Sequence, residues 1–392
     1  MRDFLSQRAK NIKPSGIRKF FDIVAERGDV ISLGVGEPDF ITPWDIRDAG
    51  VKAIKNGYTQ YTSNKGLPEL RKEISEYLKT NFDVDFSSDD TVITVGASEA
   101  IDITLRAIVN EGDEILVPDP SYVSYKPCVE LLGGVAVSIP CDGENGFKLT
   151  PDALESVITD KTKAIIFPYP NNPTGGIMEK EYIEKIIPVI LKHDLLVISD
   201  EIYAELTYAK RHCSIASFPE MKDRVVLISG FSKAFAMTGW RIGYVCAPQP
   251  ILATLLKIHQ YSIICAPIFA QYAALEALKS GKNDGYSSVN LMKEEYDKRR
   301  KFMFSSFLDM GLDCFEPAGA FYIFPCVKNT GMTGEEFATR LLEEKKVAVV
   351  PGDAFGEFGK YYVRCSYACS MKNLLDATEK IAEFVNEIKG KR

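Results

Sequence analysis

The sequence predicts an α/β protein with a large, mostly parallel seven-stranded sheet flanked by helices, followed by a small α+β domain. In the middle of the chain, short apolar runs alternate with longer amphipathic stretches, which is typical of a parallel α/β sheet. The alternation changes after about residue 285, and 392 residues exceed one small domain, for which roughly 100–200 residues are usual. We therefore expect a large domain over 45–285, a small domain over 286–392, and an N-terminal segment over 1–44 that packs with the small domain.

Seven apolar, β-branched runs are the predicted strands of the large sheet, because strands covered on both faces are apolar along their whole length. Between them lie amphipathic stretches such as 97–109, where Ala97, Ile101, Leu105 and Ile108 share one helical face. The predicted strands are 91–95, 114–117, 135–139, 163–167, 195–199, 225–229 and 242–247.

The last hundred residues have a mixed pattern that predicts the small domain. Helices are expected at 292–308, 334–344 and 371–388, and short strands at 321–324, 347–350 and 361–365. The first forty residues show no regular periodicity, and their segment 31–38 is predicted to be a loop.

Composition excludes several classes of function. Lys plus Arg is 47 and Asp plus Glu is 54, a net charge of −7, which gives no electrostatic reason to expect a nucleic-acid partner. No apolar stretch approaches the twenty or so residues of a membrane span, and the N-terminus lacks the apolar segment of a secretory signal. The nine cysteines form no C-x-x-C pair, so neither a metal site nor a disulfide framework is indicated. We expect a cytoplasmic protein.

Residues that could bind a ligand or take part in a reaction follow four of the predicted strands. In open α/β sheets, ligands bind beyond the carboxyl ends of the strands, so these side chains are expected to converge. The strand ends contribute Ala97 and Ser98 at a helix start, Asn172 in a turn, Asp200 with Tyr203, and Ser232 with Lys233 and Arg241.

This set of residue types matches the chemistry of pyridoxal 5′-phosphate. A helix N-terminus favours a phosphate, and a lysine amine that has lost its charge attacks aldehydes. An aspartate keeps a pyridine nitrogen protonated, while a tyrosine and an asparagine can hold a ring oxygen. Taken singly, each residue has an ordinary alternative: Asp200 as a helix cap, Lys233 as a surface amine, Arg241 as an ion-pair partner and Asn172 as a turn residue. Their shared position at strand ends supports the cofactor site.

The segment 229–244, SGFSKAFAMTGWRIGY, resembles the signature around the cofactor lysine of class I/II aminotransferases, which are fold-type I pyridoxal-phosphate enzymes. The resemblance covers almost the whole chain. It includes GVGEPDF at 34–40, Tyr61, GLPELR at 66–71, NPTG at 172–175, DEIY at 200–203 and YVR at 362–364. It implies a homodimeric enzyme that moves an amino group from an L-amino acid to a 2-oxo acid by a ping-pong mechanism.

The resemblance also implies a role for each matching residue. Lys233 would bond to the cofactor and move the substrate proton, Asp200 would pair with the ring nitrogen, and Tyr203 and Asn172 would hold the ring oxygen. The remaining residues would bind the cofactor's other parts and the substrate: Tyr122 stacked on the ring, Ala97, Ser98, Ser232 and Arg241 at the phosphate, Arg364 and the Gly36 backbone at the substrate carboxylate with Asn172 nearby, and Tyr61 at the phosphate of the neighbouring subunit.

Two positions depart from the pattern of many relatives. Gly230 stands where many have a serine, which leaves Ser232 to supply that hydroxyl. Ser98 stands where a bacterial aspartate/prephenate-type branch often has a lysine for the side-chain carboxylate. Because no other cation for that task is obvious, we expect neutral or aromatic substrates.

Other readings of the same residues remain open. A cystathionine- or cysteine-S-conjugate-type β-lyase needs the same cofactor site, and a non-catalytic sensor could keep the fold. A serine hydrolase is disfavoured because GASEA at 96–100 departs from the G-x-S-x-G pattern. Dinucleotide binding is disfavoured because GVGEPD at 34–39 lacks the third glycine.

Overall fold

The computed structural model describes residues 2–14 and 29–390, which form two sheet-containing parts. The strands, in chain order, are β1 (Ile31–Ser32), β2 (Thr91–Thr94), β3 (Glu114–Asp119), β4 (Val135–Pro140), β5 (Thr162–Phe167), β6 (Leu196–Asp200), β7 (Val225–Gly230), β8 (Gly243–Cys246), β9 (Asp313–Cys314), β10 (Tyr322–Ile323), β11 (Pro325–Cys326), β12 (Val347–Ala348), β13 (Val350–Pro351) and β14 (Val363–Ser366). The α-helices are Gln7–Asn11, Trp44–Lys55, Pro68–Phe82, Gly96–Ile108, Tyr125–Leu131, Pro151–Glu155, Lys180–Lys192, Gln249–Ser262, Ile268–Asp284, Ser287–Asp309, Gly334–Lys345 and Met371–Lys389.

The large sheet has seven strands in the order β2-β8-β7-β6-β5-β3-β4. Only β8 runs antiparallel to its neighbours β2 and β7, and the other pairs are parallel. The predicted α/β fold class and its seven strands are therefore confirmed. Strand β3 runs two residues further than predicted, to Asp119, which places that carboxylate at the carboxyl edge of the sheet.

Each part has its own apolar interior. Residues on either face of the large sheet, such as Ile165 and Ile198, are fully buried among the flanking helices. A separate cluster around Phe321, Phe337 and Phe384 joins the C-terminal helices to the short strands. The domain boundaries at 44 and 285 stay predictions.

The N-terminal residues depart from the predicted irregular structure. Ile31 and Ser32 form β1, which pairs in parallel with β12, so the predicted loop 31–38 begins as a strand. Its partner lies some three hundred residues away, and no local pattern could reveal the pairing. Gln7–Asn11 is helical, and Arg8 forms an ion pair with Glu111 of the large sheet region. Residues 15–28 lie outside the described residues, so the expectation for the whole 1–44 segment stays a prediction.

The small sheets follow the C-terminal prediction with shorter strands. The predicted strand 347–350 is divided into β12 and β13, which join different sheets, and 321–324 is reduced to β10. Strand β14 pairs with both β10 and β13 and carries Arg364, whose side chain contacts Asn172 of the large domain. Within residues 2–14 and 29–390, no helix combines the length and apolar character needed to cross a bilayer.

Candidate active site

One cavity of about 1100 Å³ opens at the carboxyl ends of the large sheet, between that sheet and the C-terminal part. Every predicted site residue except Tyr61 lines it. These residues are Gly36, Ala97, Ser98, Tyr122, Asn172, Asp200, Tyr203, Ser232, Lys233, Arg241 and Arg364.

Lys233 follows β7 and points into the middle of the cavity. Its Nζ donates a hydrogen bond to the Gly36 carbonyl at 2.7 Å. Burial lowers the pKa of Lys233 to about 8, because the charged amine loses water. The nearby charge of Glu37 acts against this shift in pKa, whereas that of Arg364 acts with it. At mildly alkaline pH a large fraction of this amine is therefore neutral and nucleophilic.

Asp200 is the last residue of β6 and lies at the floor of the cavity. Burial raises the pKa of its carboxyl to about 6, against the hydrogen bonds that it accepts. Tyr125 donates to Oδ2 at 2.7 Å and the Ile202 amide to Oδ1 at 3.2 Å. A buried carboxylate with only neutral donors is suited to a cationic N–H partner, which would supply the missing positive charge.

A phosphate-sized set of donors surrounds the start of the helix Gly96–Ile108. Gly96 has φ +75°, and a Cβ there would lie 2.8 Å from Arg241 Nη2, so the guanidinium sits directly against the helix N-terminus. Ser232, which is buried, and Ser98, which is exposed, line the same cavity. The positive helix end, the guanidinium and the hydroxyls form an anion cradle.

Behind the cradle, Glu99 fixes the start of the same helix. Its Oε2 accepts a hydrogen bond from the Val95 amide at 2.5 Å, and its Oε1 lies 2.6 Å from His259 Nδ1. His259 is fully buried, so the first helical turn is held on the side away from the cavity.

Arg364 of β14 lies across the cavity from Lys233. Its Nη1 donates to Asn172 Oδ1 at 2.9 Å and its Nη2 to the Gly34 carbonyl at 2.5 Å. The guanidinium carbon lies 4.5 Å from the ring centroid of Tyr322 and 4.9 Å from that of Phe355. Two aromatic rings thus hold a planar cation, which suits bidentate binding of a carboxylate.

Tyr203 is buried, and its hydroxyl lies 2.8 Å from that of Tyr322. Gly36 faces the same hydroxyl, since a Cβ there would lie 2.9 Å from Tyr322 Oη. Sterics also explain why position 230 is glycine and not serine: a Cβ there would lie 2.9 Å from Gly243 Cα and 3.0 Å from the Ile242 carbonyl oxygen. A serine at 230 would therefore require the adjacent strand to move.

Sequence reasoning missed several lining residues. Tyr125 stands three residues after the predicted ring-stacking Tyr122, but its orientation toward Asp200 depends on how the helix that it begins is placed. Tyr322 lies inside a predicted strand, but the observed strand has only two residues, so the sequence pattern is too short to show which side of the sheet the Tyr322 side chain occupies. Lys13 and Glu37 also line the cavity. Tyr61 is 79% exposed and lies outside it.

A mostly parallel α/β sheet with a lysine, an aspartate and an anion cradle at its carboxyl edge is the arrangement of a fold-type I pyridoxal-phosphate protein. The chain belongs to the class I and II aminotransferase family, whose model matches residues 28–381.

Individual relatives cover nearly the full length. A putative aminotransferase YugH of Bacillus subtilis is 50% identical over 99% of this chain and all of its own. An aspartate aminotransferase of Pyrococcus abyssi is 44% identical over 98% of this chain and 99% of its own. Among solved structures, an aromatic aminotransferase from Pyrococcus horikoshii is 43% identical, with a TM-score of 0.90 over 94% of this chain and 99% of that one. This protein is therefore a pyridoxal-phosphate-dependent aminotransferase.

The residues present fit the cofactor. The cradle at Gly96 and Arg241 offers donors for a phosphate, Asp200 is a buried carboxylate facing a cavity, and Lys233 is an amine whose pKa is lowered by burial. In the described part of the chain, no cluster of His, Cys, Asp and Glu is arranged to hold a metal ion.

Proposed function

We propose that this aminotransferase takes its amino group from neutral or aromatic L-amino acids and passes it to a 2-oxo acid. The observation that carries the proposal is the cavity lining, in which Tyr122, Tyr322, Ile101 and Val123 provide aromatic and aliphatic surface. Ser98, which is exposed, cannot balance a second carboxylate. The aromatic aminotransferase with a similar structure is consistent with this choice.

Each side chain has a defined task in the proposed reaction. Pyridoxal phosphate, when bound, supplies an aldehyde and an electron-withdrawing ring. Arg364 binds the substrate α-carboxylate through its outward N–H groups and so aligns the α-carbon with Lys233. The neutral Lys233 amine would accept the α-proton. With the cofactor bound, Asp200 would keep its ring nitrogen protonated, Asn172 and Tyr203 would hold its ring oxygen, and Tyr122 would lie against its ring.

The anion cradle would hold the cofactor phosphate and leave Lys233 free to move protons. Ala97 and Ser98 would contribute the helix N-terminus, and Ser232 and Arg241 a hydroxyl and a guanidinium. Because the cradle lies on a helix and a strand end of one sheet, its geometry does not depend on the substrate.

A dicarboxylic donor such as aspartate is the second candidate, because Lys13 is a further cation on the cavity wall. Glu37 also lines the cavity, and its negative charge opposes a second substrate carboxylate. The aspartate aminotransferase among the relatives makes this the comparison that matters most in the assay.

We also propose that the working unit is a homodimer. Large apolar side chains are exposed at four positions: Ile41 (77%), Trp44 (70%), Tyr61 (79%) and Tyr261 (89%). Asn64 joins the Tyr61 loop to the Ile264 carbonyl at 2.8 Å. Apolar surface of this kind marks an interface, and Tyr61 within it would reach the anion cradle of the neighbouring subunit.

The cytoplasm is the proposed location, supported by nine cysteines that are all free thiols.

The test is a visible absorption titration of the holoenzyme with single amino acids and no 2-oxo acid. Phenylalanine and alanine are expected to convert the cofactor to its amino form, and the Lys233→Ala variant is expected to show no catalytic conversion. In steady state, a kcat/KM for aspartate about ten-fold or more above those for both phenylalanine and alanine would overturn the donor proposal. A Lys13→Gln variant would then show whether Lys13 carries that preference. Release of pyruvate and ammonia from cysteine-like substrates would favour the β-lyase.

A further inference from the structure

We propose that Asp119 is a positioning residue that clamps the C-terminal loop 355–358 onto the large sheet and thereby orients Arg364 for the substrate carboxylate. The inference rests on the proposed role of Arg364. Asp119 is fully buried at the carboxyl end of β3, and it has no part in the proposed reaction itself.

The Asp119 carboxylate is bound from two sides. On the large-sheet side, Lys126 Nζ donates to Oδ2 at 2.6 Å and Ser138 Oγ at 3.1 Å. On the C-terminal side, the Glu357 amide donates to Oδ2 at 3.3 Å and the Phe358 amide to Oδ1 at 3.2 Å. The ion pair with Lys126 compensates the buried charge, and the two amides tie the carboxylate to a short helical turn of the other part.

The loop is shaped to receive this carboxylate closely. Gly356 has φ +140°, and a Cβ there would lie 1.9 Å from Asp119 Oδ1. Any other residue would therefore force the loop and the carboxylate apart. A second link lies beside it, where the Ser121 amide donates to the Phe355 carbonyl at 3.0 Å.

Phe355 connects this clamp to the substrate arginine. Its side chain is buried among Phe324, Val350 and Cys141, and its ring lies 4.9 Å from the Arg364 guanidinium. The loop that Asp119 fixes therefore sets one of the two aromatic faces that hold Arg364. If the loop shifts, the guanidinium loses one of its two aromatic contacts and, with it, part of its alignment for bidentate binding.

The experiment uses the holoenzyme of Asp119→Asn. The NH₂ group of the amide faces the Phe358 amide if it takes the place of Oδ1, and Lys126 with the Glu357 amide if it takes the place of Oδ2. Either orientation therefore loses a hydrogen bond to the loop. KM for the best amino donor is expected to rise about ten-fold with kcat within about two-fold. The dissociation constant of the matching carboxylic acid without an amino group should rise equally, and the cofactor's absorption spectrum should not change.

The matched control is Asp113→Asn, at the opposite end of the same strand. Asp113 also pairs with a lysine, Lys163, at 2.8 Å, but it lies at the amino edge of the sheet and away from the loop. Its variant is expected to keep both KM and inhibitor affinity. If Asp119→Asn fails to fold, Gly356→Ala opens the same contact from the loop side and is expected to raise KM in the same way.

A double-mutant cycle with Arg364→Lys separates positioning from general structure. In the Arg364→Lys background, Asp119→Asn should add less than about two-fold to KM, because the residue it positions is already gone. A full ten-fold loss there would overturn the proposal, as would unchanged KM and inhibitor affinity in the single variant. The amino donor and the matching carboxylic acid are whichever pair the absorption titration identifies. The Asp119 test can therefore be made even if the best donor is not a neutral or aromatic amino acid.

Discussion

At the residue scale, the two ionisable groups at the centre of the site are shifted away from full charge by the same cause. Burial raises the pKa of Asp200 to about 6 and lowers that of Lys233 to about 8. Each charge is unfavourable in the cavity without a partner, and both groups face the space where a cationic ring nitrogen and an aldehyde would bind. Burial thus favours a neutral Lys233 amine, which can react with an aldehyde, and an Asp200 carboxylate that is stabilised when a cationic ring nitrogen binds.

The unfavourable buried charge of Asp200 predicts that the stability of the cofactor-free protein depends on pH. The pKa of Asp200 is higher in the folded chain than in the unfolded chain, so its contribution to folding is present below about pH 4 and is lost as the pH rises through about 6. Asn cannot ionise. The Tm of Asp200→Asn relative to the parent is therefore expected to rise between pH 4 and 6 and then to level off.

Thermal denaturation of both cofactor-free proteins across that range measures this difference. Asp113→Asn serves as the control, because the hydrogen bond from Lys163 lowers the pKa of Asp113 below its ordinary value, which is the opposite direction to Asp200. Its Tm difference from the parent should stay flat or fall as the pH rises over the same range. A flat difference for Asp200→Asn as well would contradict the assignment of a costly buried charge.

At the scale of elements, the cradle depends on how the helix Gly96–Ile108 begins. Val95 is held by Glu99, Gly96 takes a positive φ, and Arg241, itself at φ +53°, fills the space that a Cβ at 96 would occupy. Gly243 of β8 lies against the same turn, since its Cβ would meet the Gly96 carbonyl carbon at 2.7 Å. Two glycines thus allow a strand, a helix start and an arginine to approach closely.

Gly96→Ala is expected to weaken pyridoxal phosphate binding by at least about ten-fold. The new methyl displaces Arg241, and an L-residue at this φ costs about 1–2 kcal/mol. Titration of the cofactor-free protein with pyridoxal phosphate, followed by fluorescence, gives the dissociation constant. Gly112→Ala is the matched control, because Gly112 has φ +80° and no atom within 4 Å of a Cβ. Equal loss of affinity in both variants would mean that backbone strain, and not Arg241, is responsible.

At the scale of the whole molecule, the proposed homodimer makes each site depend on two chains. Lys233 belongs to one chain, whereas Tyr61, exposed and outside the cavity of its own chain, would complete the phosphate site of the partner. A closed two-fold dimer exchanges such residues symmetrically.

Mixing two defective variants tests this arrangement. Lys233→Ala and Tyr61→Ala homodimers are each expected to have low activity with limiting cofactor. After subunit exchange, half of the dimers are mixed, and one of the two sites in each carries both native residues. Roughly a quarter of the parent activity should therefore return. No recovery, despite exchange shown by sedimentation of tagged chains, would place Tyr61 outside the partner's site.

The sequence by itself determined the fold class, the seven strands of the large sheet and the residue types at their ends. These properties follow from local periodicity and from the rule that ligands bind at the carboxyl edge of such a sheet. The cofactor followed from Lys233, Asp200 and the helix start taken together, since their chemistry is specific as a set.

Only the tertiary structure decided how those residues are held. The pairing of Ile31 with Val347, the hydroxyl of Tyr125 at Asp200, and the rings of Tyr322 and Phe355 around Arg364 each join distant segments. Such contacts depend on strand register and on the direction of each side chain, which a one-residue change in pairing would reverse. Residue type is a local property of the chain, whereas the face and neighbour of a side chain are set by packing across hundreds of residues.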